Sequence, residues 1–174
     1  MTFNLQQSMD ILSRTPAVLD TLLRGLPDAW LNSNEGEDTW SPHDILGHLI
    51  HGEKTDWMVR AKLILSQASD KTFEPFDRFV QMQEGPKKSL EELLTEFRSI
   101  RLQNLAELER LPITETALTK KGIHPDLGVV TLKELLATWV VHDLGHISQI
   151  VRVMGKRYKS EVGPWQAYLG ILKQ

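Results

Sequence analysis

The chain has no cysteine among its 174 residues. Disulfide bridges, thiolate metal sites and a cysteine nucleophile are therefore excluded, and the composition fits a reducing cytoplasm. An excess of one charge is also missing: 20 lysines and arginines stand against 23 aspartates and glutamates, for a formal net charge of -3. That balance leaves no electrostatic footprint for nucleic acid or for an anionic membrane. The pairs Lys87-Lys88 and Lys120-Lys121 are short and read as solvated surface. No apolar run approaches the roughly twenty residues that span a bilayer, and no basic segment followed by an apolar stretch opens the chain. A cytoplasmic protein is expected. Strand signals are sparse too, with Leu127-Gly128-Val129-Val130 the one apolar run that favours extended chain.

What is present is helix punctuation. Ser41-Pro42-His43-Asp44 offers an N-cap serine, a proline at the first helical position and an acidic residue in the first turn. Ser89-Leu90-Glu91-Glu92 and Thr131-Leu132-Lys133-Glu134 are capping boxes, with hydroxyl and carboxylate three residues apart. Apolar stripes at helical spacing follow, with Leu90, Leu94, Phe97, Leu105 and Leu108 on one helix and Leu135, Trp139, Ile150 and Val153 on another. Gly155 is placed to close the latter. A first helical segment runs from about Asn4 to Leu26, kinked or broken at Pro16, and a short helix starts at Pro164. Between the second and third long helices, Gln67 to Lys88 mixes Ser, Pro, Gly, Asp and phenylalanine, and a loop of that length is usually functional or packed over something. These features predict an all-α protein forming one domain over residues 1–174. Its architecture is an antiparallel four-helix bundle with a short extra C-terminal helix.

The run Val141-His142-Asp143-Leu144-Gly145-His146 carries the chemistry. Alternating steps of three and four from Leu135 pass through Trp139, His142, His146, Gln149 and Val153, so both imidazoles fall on the apolar stripe, one turn apart. His48 has a comparable setting on an earlier helix, sharing a face with Ile45, Gly52, Thr55 and Val59. A single histidine on such a stripe is more often a hydrogen-bonded core residue. An i,i+4 pair with a third histidine on another core helix is a ligand set for one metal ion, and three protein ligands leave coordination positions for water or substrate. Imidazole suits zinc, nickel, iron and copper alike. Gly47, Gly52 and Gly145 beside these histidines point to close helix approach or to space kept open for a ligand.

The same run is one carboxylate removed from the H-E-x-x-H metalloprotease pattern, but the sequence shows no convincing sheet in front of the helix, which argues against a protease. Asp143 is then a surface charge, or a partner that orients a metal ligand on the facing helix. Arg101 interrupts an apolar stripe between Phe97 and Leu105, where a charge needs a partner. It either snorkels or pairs with an acidic residue, or it binds an anionic cofactor or substrate group near the metal. Thr55 and Gln149 are small polar candidates for the inner faces, with Glu53 and Arg60 following His48 on its helix. His43, His51 and His124 read as solvated, with His51 able to rim a pocket. Trp40, beside the Ser41 cap, reads as a hydrophobic staple.

Taken together, Trp40-Ser41-Pro42, Ile45-Leu46-Gly47-His48-Leu49, His142-Asp143-Leu144-Gly145-His146-Ile147-Ser148-Gln149-Ile150 and Gly163-Pro164-Trp165-Gln166-Ala167-Tyr168-Leu169 resemble the DinB-like superfamily (DinB/YfiT type) of metal-binding four-helix bundles. The resemblance covers almost the whole chain in order. It implies a divalent metal, commonly zinc or nickel, held by His48, His142 and His146, and a homodimer. It also implies chemistry on small molecules, since some members resemble or act as thiol transferases or isomerases that use low-molecular-weight thiols and others are classed as hydrolases. The expectation is a metal-dependent thiol S-transferase or hydrolase with a small-molecule substrate and an external thiol where one is used. The alternative is a non-catalytic, stress-related metal-binding bundle that binds a partner or a small molecule.

Overall fold

The three predicted caps start three of the long helical segments. In the computed structural model, which describes residues 2–80 and 88–173, Ser41, Ser89 and Thr131 each accept a hydrogen bond from the backbone of the third helical residue. The carboxylates of Asp44, Glu92 and Glu134 reach back to the cap backbone in turn. Helices α1 (Leu5–Leu12) and α2 (Thr15–Leu23) form the first segment, interrupted ahead of Pro16 because a proline inside a helix would lose a hydrogen bond and clash. A single turn, α3 (Asp28–Leu31), leads to α4 (Pro42–Thr55), which continues after a break at Asp56 into α5 (Trp57–Leu65). Next come α6 (Leu90–Arg110) and the single turn α7 (Glu115–Leu118). A hairpin of β1 (Lys121–His124) and β2 (Gly128–Thr131) then leads to α8 (Leu132–Lys156).

Two expectations need correction. The second long helix is interrupted at Asp56, whose φ/ψ of -113°/-79° stays in the right-handed region but departs from regular helix values. The break turns Trp57 back towards Gly52, where an added Cβ would stand 3.3 Å from the indole Nε1. Gly155 does not close α8, which runs on to Lys156. The short helix expected at Pro164 is a 3-10 helix, Gly163–Ala167, followed by a second 3-10 turn, Gly170–Lys173. The apolar run at residues 127–130 does enter a strand, paired in register from Lys121–Thr131 to His124–Gly128. Lys87, and the part of the long loop at residues 81–87, lie outside the described residues.

The helical segments form a four-helix bundle, with α1 against α8, α2 against α6, α4 against both α6 and α8, and α5 against α8. Its core is in two parts. One apolar cluster gathers Leu12, Trp57, Ile64, Leu105, Leu108, Leu132, Leu136 and Trp139. The other gathers Leu19, Leu23, Ile45, Leu49, Leu94, Phe97 and Ile150. Every long segment passes from one cluster to the other, and at the crossing each carries buried polar side chains: Thr15, Glu53, Arg101 and Asp143. A polar layer therefore cuts across the bundle, and the histidines lie beside it. Among the described residues no helix is long and apolar enough to cross a membrane.

Candidate metal centre

The i,i+4 spacing on α8 puts the His142 and His146 rings one above the other, with their Nε2 atoms 3.1 Å apart. From the facing helix α4, His48 brings its own Nε2 to 3.1 Å from that of His142. All three ligand atoms lie within 4.8 Å of one another. Nitrogens bound to one ion at ~2.0–2.1 Å with angles near 100° would sit about 3.1 Å apart, so the donor set suits a small divalent cation. Protonation does not compete: burial, reinforced by the neighbouring imidazoles, pushes His48 and His142 down to about 3. His146 is pushed down by burial as well, although its bond to Gln149 opposes the shift. Three neutral imidazoles with converging lone pairs gain little from one another and are suited to a cation.

One outer ring nitrogen is tied down. His146 Nδ1 donates to Gln149 Oε1 at 2.8 Å, which leaves its Nε2 as the free lone pair. The Nδ1 atoms of His48 and His142 are buried with no hydrogen-bond partner among the described residues, and the Arg78 backbone lies close enough to His48 to favour its charged form. Aromatic rings wall the site instead. Trp40 lies 4.7 Å from His48 and stacks over His146 at 6.2 Å; Trp57 meets His142 edge-on at 5.0 Å. Phe76, from the long loop, stands 5.5 Å from His48 and 4.8 Å from His51, while Phe79 packs edge-on against Trp40 at 6.1 Å. The loop thus covers this end of the site. It is anchored by buried Phe73, whose N–H donates to the Ile123 carbonyl at 2.8 Å. Trp40 joins the apolar cluster beside its cap, and it is also a wall of the site.

Arg101 is fully buried, and the ion-pair reading fits its surroundings. Its Nη1 donates to Asp143 Oδ2 at 2.6 Å and to the Leu12 carbonyl at 2.9 Å; Nη2 donates to Glu53 Oε1 at 2.8 Å and to Asp143 Oδ1 at 3.0 Å. With no exposed surface it offers nothing to a cofactor, and Asp143 is its partner, neither a surface charge nor bonded to the facing ligand His48. Thr55 and Val59 are exposed, so the face they were read as sharing with His48 is not the inner one. A Cβ added at Gly145 would meet nothing within 4 Å, which sets aside close helix approach there. His51 does rim the site through Phe76, whereas His43 bonds the Lys88 carbonyl at 2.8 Å and His124 accepts from the Asp126 N–H, both elsewhere.

Sequence reasoning missed Asn104, which donates to both the side chain and the carbonyl of Glu53 at 2.9 Å, and Trp139, whose Nε1 donates to Glu53 Oε1 at 2.9 Å. Asn104 follows Arg101 by three residues and so shares its face, a signal that was legible. Phe76 and Phe79 gave only composition.

A helical bundle with three histidines from two facing helices defines a metal-binding protein of the four-helix type. The family model for the DinB superfamily matches residues 11–150, and the chain belongs to that superfamily. Among solved structures it is similar to YfiT from Bacillus subtilis, at 20% sequence identity and a TM-score of 0.75 over 91% of each chain. That protein is described as "a probable metal-dependent hydrolase with an unusual four-helix bundle topology". No curated protein matches the chain.

Proposed function

We propose that the protein is a metal-dependent enzyme acting on a small molecule, by hydrolysis or by S-transfer from an external thiol, with His48, His142 and His146 as the ligands of a zinc or nickel ion. The observation that supports this most is the convergence of three neutral Nε2 atoms from two helices, with two of the separations at 3.1 Å. A divalent ion at such a site supplies Lewis acidity, which lowers the pKa of a water or thiol brought to it. The chain's own residues supply the rest. Trp40, Phe76 and Phe79 shelter the site from bulk water and offer apolar surface to a substrate. His51, beside Phe76 and 3.4 Å from the Thr55 hydroxyl, is the imidazole placed at the rim and our candidate for a general base. Because the chain has no cysteine, any thiol chemistry uses a thiol from outside.

The test is metal analysis of untagged protein after dialysis, followed by assays of ester, amide and thiol-transfer substrates on metal-loaded samples. The expected result is near-stoichiometric metal, lost in His48→Ala and His142→Ala and unchanged in His124→Ala. Full metal content in His142→Ala would overturn the ligand assignment. Stoichiometric metal without turnover of any of these substrates would favour the non-catalytic reading.

A further inference from the structure

The three histidines come from two helices, and nothing within the triad fixes how far apart those helices stand. Metal ligands are usually oriented by a hydrogen bond at the outer ring nitrogen. Here Gln149 does this for His146, while His142 has no such partner among the described residues and His48 has only the backbone of Arg78 in the long loop beside it. Their Nε2 atoms can converge only if α4 and α8 are themselves held in place.

The helix that holds them contributes no ligand. We propose that α6 acts as a clamp that sets the metal-site geometry, with Arg101 and Asn104 as positioning residues. Arg101 crosses the bundle in the polar layer. Its guanidinium takes Glu53 of α4 and Asp143 of α8 at once and also binds the end of α1 through the Leu12 carbonyl. Glu53 follows His48 by five residues on the same helix, and Asp143 is covalently next to His142. Each carboxylate therefore transmits its position to a ligand through little more than one turn of helix.

Asn104 secures the α4 side. It donates to a carboxylate oxygen of Glu53 and to the Glu53 carbonyl, which lies in the last turn before the break at Asp56 and has no helical N–H to receive. Trp139 Nε1 completes the set on Glu53 and ties it once more to α8. The guanidinium lies over the Phe97 ring at 4.9 Å and the Trp139 ring at 5.2 Å, which fixes its plane. A planar fork that meets two carboxylates on two helices sets a distance in a way that a single ammonium cannot.

This inference rests on the metal-binding reading, and the experiment separates the two. Cobalt(II) is titrated into metal-free wild-type protein and into Arg101→Lys, Asn104→Ala and Leu105→Ala, recording the visible ligand-field spectrum, the affinity by chelator competition and thermal unfolding without metal. Leu105 is buried one turn further along α6 as part of the apolar cluster and makes no side-chain hydrogen bond, so it controls for lost stability. The expected result is a fall in cobalt affinity of about tenfold or more with an altered spectrum in Arg101→Lys, a smaller fall in Asn104→Ala, and wild-type affinity in Leu105→Ala despite lower thermal stability. Wild-type affinity and spectrum in both α6 polar variants would overturn the clamp. So would a loss of affinity in all three in proportion to stability. If Arg101→Lys does not fold, Asn104→Ala against Leu105→Ala decides the matter alone. Wild-type protein that binds no cobalt would instead overturn the metal reading itself.

Discussion

Two histidines held neutral in the folded protein make its stability depend on pH in a direction that can be worked out. His48 and His142 sit at about 3 in the fold against 6.5 as free side chains, chiefly through burial and then through the neighbouring imidazoles. As pH falls the unfolded chain takes up protons that the folded chain refuses, so the stability is present above 6.5 and is lost on the way down. At about pH 5.5 each such group removes about 1.4 kcal/mol, and the pair about 2.8 kcal/mol. Asp56 works against them. Its burial, only partly offset by Arg60, raises it to about 6 from 3.8, a penalty that eases as the carboxyl is protonated. Between about pH 7.5 and about pH 5.5 that easing returns about 0.8 kcal/mol, leaving a net loss of about 2 kcal/mol. The Arg152 guanidinium holds Glu35 at about 2, so its protonation falls below this window. Burial pushes His146 and His124 down as well, in the same sense as the pair. Urea unfolding of chelator-treated protein at the two pH values measures the difference. Asp56→Asn should deepen the loss to about 2.7 kcal/mol, and His142→Asn should cut the net loss to about 0.6 kcal/mol. A stability that is flat or rises towards acid in Asp56→Asn would mean that the folded imidazoles accept protons freely. The neutral triad on which the metal reading depends would then be wrong.

Gln149→Ala frees His146 Nδ1 and should weaken metal binding by about tenfold while costing little stability, checked by chelator competition and thermal unfolding. Gly122→Ala places a Cβ 2.5 Å from Phe73 Cε1 and 2.9 Å from Ile64 Cγ1, so the loop anchor must shift. It should cost about 1–3 kcal/mol by urea unfolding, and amide exchange should rise at Phe73.

The helices were legible because each long one carries its own start signal: Ser41, Ser89 and Thr131 with a carboxylate three residues on, followed by an apolar stripe that the fold buries. The break at Asp56 was not legible, since the apolar spacing runs on through it; in the fold it accompanies the seating of Trp57 over Gly52, five residues back. The end of α8 was misplaced because Gly155 has helical neighbours and its Cβ position faces Ile171 at 3.7 Å, so the helix runs past it against the tail. Of the site, the pair on α8 could be read directly, because i,i+4 spacing on one helix fixes a distance. His48 needed a second helix to arrive in register, which a one-dimensional pattern suggests without guaranteeing.

Arg101 shows the limit most clearly. A charge on an apolar stripe announces that it has a partner, but the partner lies 42 residues away on α8 and 48 away on α4, and no local pattern links them. Its place in the fold also bears on what it is for. Two carboxylates and one guanidinium, all fully buried, are a poor way to stabilise a bundle, because desolvation takes back most of what the pairing gives and apolar side chains of similar volume do as well or better. The two apolar clusters on either side could have met across such a layer. What the apolar alternative lacks is a directional link between α4 and α8 at the level of the histidines. The polar layer is therefore better explained by the placement of His48 opposite His142 and His146 than by stability. On this account α6, which contributes no ligand, supplies the geometry of the site.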